Sequence, residues 1–167
     1  MKGKCGACGW RTHFEELKIS RDELVYAKGV PNVGSKIITE DIQRAVSYSG
    51  VSEGEVIIQV LHTTTTLLLN EAEEGLMLTD FPNMAGRLCP EGTYAHDRAE
   101  RILSRPDEPE NAPSHMESIL IGSPSFPVII RDSHLLLGTW QAIMFYDFDP
   151  ENPIETTVTT MVRTDLA

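Results

Sequence analysis

Positive charge is scarce in this chain of 167 residues. Lys and Arg number 14 against 25 Asp and Glu, for a formal net charge of -11 and a pI of about 4.8. A broad grip on a nucleic-acid backbone needs clustered cations, so that class is set aside. Docking on anionic membranes is set aside for the same reason. No apolar run approaches the ~20 residues of a membrane helix. The opening "MKGKCGACGW" lacks the apolar stretch of a secretory leader. Cysteine is also sparse. Three of them, an odd number, do not make a disulfide framework. The expectation is a reduced, cytoplasmic protein. Cys5 and Cys8 form a C-x-x-C, but a zinc site needs two further ligands and no second such pair exists. Residues 1–12 read as a flexible N-terminal tail with incidental thiols, and 13–167 as a single domain.

What the chain does have is β-branched alternation. "HFEELKIS", "EVIIQVLHTT", "SFPVIIR", "HLLLGTWQAIMFYDFD" and "IETTVTTMV" read as strands, and "DELVYAK" as a short one. Gly138 inside its run suggests a bulge or a close approach. If "EVIIQV" ran straight to Leu69 it would be too long for the domain. A bend or break is therefore expected near Thr64–Thr66. "TEDIQRAVSYSG" reads as a helix capped by Thr39, with Glu40 and Asp41 in the first turn and Gly50 past the end. "EEGLMLTDF" is a shorter one. Ser114 and Glu117 match the S-x-x-E capping box, so a helix is predicted to begin at Ser114. Strands dominate and neighbours lie close in sequence. The fold class is α+β, a largely antiparallel sheet or sandwich with a few helices.

Five histidines are present. His62 ends a strand, His96 stands in "TYAHD", and His115 opens the predicted helix in "NAPSH". Each alone is most simply a satisfied polar residue. Together they are three imidazoles, the usual protein complement of a catalytic metal. Asp97 could fix one imidazole's tautomer or serve as a fourth ligand. The helix start could hold a phosphate or carboxylate. "GTWQ" could place Trp140 and Gln141 on opposite faces of a strand.

"LHTTTTLLLNEAEEG", "GTYAHD", "NAPSHMESILIG" and "LLLGTWQAIMFYDFD" occur in the order and spacing of the YjbQ family (UPF0047). The resemblance covers about residues 14 to 163. It implies a compact α+β domain assembled as a homotrimer, and weak secondary thiamine-phosphate synthase activity. That activity joins a pyrimidine pyrophosphate to a thiazole phosphate. By motif, His62, His96 and His115 would hold a divalent metal, zinc foremost, with magnesium or another divalent ion as the alternatives. Asp97, Glu71 and Gln141 are the candidate catalytic residues, and Asn70, Thr63, Ser114, Thr139 and Trp140 the candidate substrate contacts. Thr65 and Ala142 depart from the family pattern without removing a ligand. The implied function is a metal-dependent enzyme acting on a small phosphorylated or pyrophosphorylated molecule. The alternative is a non-catalytic metal- or ligand-binding trimer.

Overall fold

The computed structural model describes residues 2–4, 10–27, 33–149 and 155–165. Cys5 and Cys8 lie outside them. The strands are β1 (Lys2–Lys4), β2 (Trp10–Ile19), β3 (Val25–Tyr26), β4 (Gly34–Ile37), β5 (Gly54–Val60) and β6 (Thr65–Glu71), then β7 (Ser125–Arg131), β8 (His134–Leu135), β9 (Gln141–Asp147) and β10 (Thr156–Asp165). The helices are α1 (Thr39–Ser49), α2 (Phe81–Leu88), α3 (Ala99–Ser104) and α4 (Ala112–Ile121). This is the α+β class, with no helix among the described residues long and apolar enough to cross a membrane.

Two antiparallel sheets carry the fold. One runs β1-β2-β10-β5-β7-β8, the other β3-β4-β9-β6. Val56, Ile58, Val128, Ile130, Val158 and Val162 alternate inward from the first sheet. They meet Phe145, Ile143 and Leu67 of the second sheet, and Ile42 and Val46 of α1, in one core. β2 is longer than the alternation of "HFEELKIS" alone suggests. All ten residues of β10 find partners, from Thr156↔Ile19 to Asp165↔Trp10. The strand therefore starts at Trp10, inside the span read as a tail, and Lys2–Lys4 pair with it.

Local chemistry explains most boundaries. α1 ends at Gly50, whose φ of 69° is the left-handed conformation that favours glycine. Thr39 does not cap α1. Its hydroxyl accepts the Ile143 N–H at 2.8 Å, tying the helix start to β9. The β7–β8 turn places Asp132 and Ser133 at φ of 52° and 64°, the signature of a tight type I′ hairpin. "HLLLGTWQAIMFYDFD" is two strands rather than one. Gly138 N–H donates to Gln141 Oε1 at 2.7 Å, and Gln141 N–H returns to Gly138 O at 2.9 Å. That turn takes the chain out of one sheet and into the other.

The long "VLHTTTTLLL" run breaks at Leu61–Thr64, as a straight strand could not fit. Thr65 then opens β6 opposite Asp147. After β6 the helical turns run unbroken from Glu74 through a π-type stretch, Leu76–Asp80, into α2, with Asp80 and Phe81 both right-handed helical. Pro82 therefore sits inside a continuous helix rather than opening a new one, and the widened turn before it accommodates its ring and its missing N–H. α4 begins at Ala112, before Ser114, and the expected capping box does not form. Ser114 Oγ instead donates to Phe148 O at 2.7 Å, and Glu117 is buried.

Candidate functional site

Two segments converge beside the Leu61–Thr64 break: the loop before α3 and the first turns of α4. His96 and His115 pack ring to ring, with centroids 4.8 Å apart and planes tilted by 52°. Asp97 organises both segments. Its Oδ1 lies 2.9 Å from His96 Nδ1 and accepts the Ala112 N–H at 3.3 Å. The anion at the start of α4 is thus the protein's own carboxylate, which suits the helix dipole. When Nδ1–H of His96 donates to Asp97, the Nε2 lone pair is left for another partner.

The surroundings of His115 favour its uncharged imidazole. Burial pushes its pKa down, and the neighbouring His96 adds to that; a hydrogen bond to the Thr63 backbone and the charge of Asp149 pull the other way. Neutral imidazole is the form that ligates metals. Ser118 Oγ sits 2.7 Å from Thr63 O and 2.9 Å from His115 O, pinning α4 against the break. His62 has a different environment. Its Nδ1 is 3.0 Å from Thr64 Oγ1 and 3.4 Å from Thr64 N. The hydroxyl serves either tautomer, whereas the amide can only donate to Nδ1. Among the described residues, no three His, Cys, Asp or Glu side chains form a group that could hold a metal ion. His96 and His115 fit the donor chemistry of a metal; His62 is the third candidate and is not set beside them as a finished triad.

Residues the sequence reading passed over complete this end. Asp147 is partly buried, and that burial raises its pKa, although the Asp149 N–H donates to its Oδ1 at 3.0 Å. Asn111 Nδ2 donates to Asp149 Oδ2 at 2.5 Å. The signal was present in "YDFD": period two puts Asp147 and Asp149 on one face of the strand end. An open cavity of about 1500 Å³ lies alongside, lined by Asp97, Asn111, Ser114 and Asp149. Glu117 also lines it, with a pKa pushed up to about 7 by burial and by the charge of Glu91.

The remaining candidates lie elsewhere. Asn70 pairs with Ala142 and Glu71 with Gln141 at the far end of the β6–β9 ladder. Six residues separate Thr65 from Glu71, or about 20 Å of strand. Thr139 and Trp140 belong to that end too, and Trp140 is 74% exposed. Within one chain the structure gathers His62, Thr63, His96, Asp97, Ser114 and His115, and leaves Asn70, Glu71, Thr139, Trp140 and Gln141 apart.

Comparison with known proteins agrees with this architecture. Residues 31–164 match the family model described as UPF0047 protein YjbQ-like. A UPF0047 protein of Archaeoglobus fulgidus is 37% identical over 113 residues, 67% of this chain and 79% of that one. A UPF0047 protein of Methanocaldococcus jannaschii is 34% identical over 113 residues, 67% of this chain and 73% of its own length. The crystal structure of a YbjQ-like protein of unknown function from Sulfolobus solfataricus shares the fold. Its TM-score is 0.74 at 23% identity, covering 93% of this chain and 99% of that one. A YjbQ/UPF0047 structure from Clostridium acetobutylicum has a TM-score of 0.66 at 28% identity, covering 90% and 98%. The chain belongs to the YjbQ-like UPF0047 family.

Proposed function

We propose that this protein is a metal-dependent enzyme acting on a small phosphorylated or pyrophosphorylated substrate, with weak thiamine-phosphate synthase chemistry as its specific form. The observation that carries the reading is the contact of His96 and His115 beside Asp97, at the edge of a cavity of ligand size. His96, His115 and His62 are the residues that would hold the metal, with zinc favoured by an imidazole set. A divalent metal supplies charge stabilisation for a departing phosphate or pyrophosphate. The chain's own part is positioning. Asp97 orients His96, the Thr63 backbone and Ser118 fix the start of α4, and Arg87 and Arg98 line the cavity as anion contacts. The other charged residues of the cavity wall are acidic, so phosphate binding here leans on cations rather than on the helix end, which Asp97 already occupies.

The protein is further proposed to act as a homotrimer in the cytoplasm. The exposed Ile119, Leu120 and Trp140 are surfaces that association would cover. A closed ring would also bring the Glu71–Gln141 end of one copy toward the histidine end of the next, reuniting the residues that one chain keeps about 20 Å apart. The competing reading is a trimer that binds a metal or ligand without turnover. It draws on the lack of a ready metal-binding group among the described residues.

Metal analysis of the purified protein, with turnover assays on the pyrimidine pyrophosphate and thiazole phosphate pair, separates the two. His115→Ala is expected to lose metal and turnover while melting as a folded protein. A fully active His115→Ala protein would sink the enzyme reading. Metal whose removal lowers the melting temperature, with no turnover in any form, favours the binding protein.

A further inference from the structure

The cavity between α2 and α4 holds two polar groups that the histidine cluster does not use. Glu117 is 3% exposed and lines the cavity, yet makes no hydrogen bond or ion pair among the described residues. The neighbours that bear on it electrostatically, Cys89 and Glu91, carry no positive charge. Asn111 is 9% exposed and lines the same space. Its Nδ2 is taken by Asp149, while its Oδ1 has no partner among the described residues. A buried acceptor left unmatched is costly, and a buried carboxylate without a cation more so.

The rest of the wall points the same way. Glu91, Asp97, Glu100, Glu110 and Asp149 join Glu117 in lining the cavity. The basic side chains of the lining are Arg87 and Arg98; Arg101 and Arg105 outside it are paired to Glu108. Such a surface concentrates cations. Tyr94 lines it as well. The Tyr94 hydroxyl already donates to Pro90 O, so its ring is what remains for a ligand.

We propose that this cavity is a subsite for a planar, protonated nitrogen base, whose N–H groups are accepted by the Glu117 carboxylate and by Asn111 Oδ1. This rests on the reading of the groove as the substrate's, and it supplies the end of the substrate opposite its phosphate. Arg87 and Arg98, in no ion pair among the described residues, remain for that phosphate. The ligand class is therefore a nitrogen base carrying a phosphoryl group.

The test uses benzamidine, a planar cation, against benzamide, its neutral counterpart, on the full chain stripped of metal by chelation. Calorimetry is expected to show benzamidine binding in the millimolar range or better, and benzamide at least about tenfold weaker. Glu117→Gln is expected to weaken benzamidine about tenfold or more and to leave benzamide unchanged. Glu100→Gln, an exposed acid of the same wall, is expected to change neither. Equal binding of the two probes, no binding of benzamidine, or benzamidine binding unaffected by Glu117→Gln each overturns the proposal. Should Glu117→Gln fail to fold, amide shift changes in the native chain decide. Shifts centred on Ser114–Ser118 support the subsite, and shifts confined elsewhere refute it. Metal is absent throughout, so failure here leaves the metal reading standing, and failure to take up zinc leaves this one standing.

Discussion

At one end of the β6–β9 ladder Thr65 faces Asp147, with His62 just before it and His115 packed alongside. At the other end Glu71 faces Gln141 next to an exposed Trp140. Burial along β6 falls steadily from Thr65 to Glu71. The buried end has polar groups that answer to one another: Asp97 to His96 and Ala112, Asn111 to Asp149, His115 to Thr63. The open end has polar groups that face water. In a low-dielectric setting such contacts set tautomers and protonation. In solvent the same residue types contribute little until something covers them.

Breaking the ladder at its middle should destroy both ends at once. Phe145 is 1% exposed and pairs with Leu67 and Lys36. Phe145→Ala is expected to cost about 3–5 kcal/mol. Urea unfolding followed by Trp fluorescence and by far-UV circular dichroism should show one shared, shifted transition. Two separated transitions would mean the ends are independent units.

The next effect is confined to the buried end. Asp97→Asn keeps the shape but weakens the grip on His96 Nδ1. Metal affinity is expected to fall about 10–100-fold, with little change at the open end. Competition with a chromogenic chelator measures it, and an unchanged affinity would remove Asp97 from its orienting role.

Smaller again is the pH response of Glu117. Its folded pKa, about 7, lies above the ordinary 4.5, so the folded state holds this proton more tightly than the unfolded one. Stability is then lost as pH rises from about 4.5 to 7. Glu117→Gln removes that loss, and is expected to melt like the native protein near pH 4.5 and to gain about 3 kcal/mol at pH 8. Melting curves at the two pH values check this, with Cys89 and Glu91 left in place as the groups that face it. Equal gains at both values would point to packing rather than charge.

The smallest effect belongs to the open end. Trp140→Ala in dilute protein is expected to shift stability by no more than about 0.5 kcal/mol. If copies associate through this end, the cost should grow with protein concentration. Sedimentation at rising concentration measures that dependence, and an unchanged cost would take this end out of any association.

The fold was largely legible because strands announce themselves by alternation, as in "EVIIQV" and "TTVTTMV". Its misreadings came from tertiary competition. Ser114 has the identity of a helix cap, but the Phe148 carbonyl recruits its hydroxyl, and Thr39 is recruited by Ile143. "LLLGTWQ" looks continuous, yet one side chain-to-backbone bond at Gly138 splits it. At the site, His96, Asp97 and His115 could be named in advance because their residue types are chemically loud. Asn111 and Glu117 could not. What distinguishes them is a missing partner, and a missing partner is a property of packing rather than of residue type.

Gly122 gives the site a rigidity of another kind. It follows α4, and a Cβ added there would meet Thr66 Oγ1, then Thr66 Cγ2 at 2.6 Å and Leu67 O at 2.8 Å. Ser123 bridges back to Leu67 immediately after it. The backbone behind α4 thus presses directly on the Thr66 side chain and the Leu67 carbonyl of β6, with no room at position 122 for even a methyl group. Most positions around a pocket can drift by small steps, each replacement nearly neutral. This one has no small step available, so drift in the pocket is left to the walls of the groove while the distance between α4 and the histidine-bearing break stays constant.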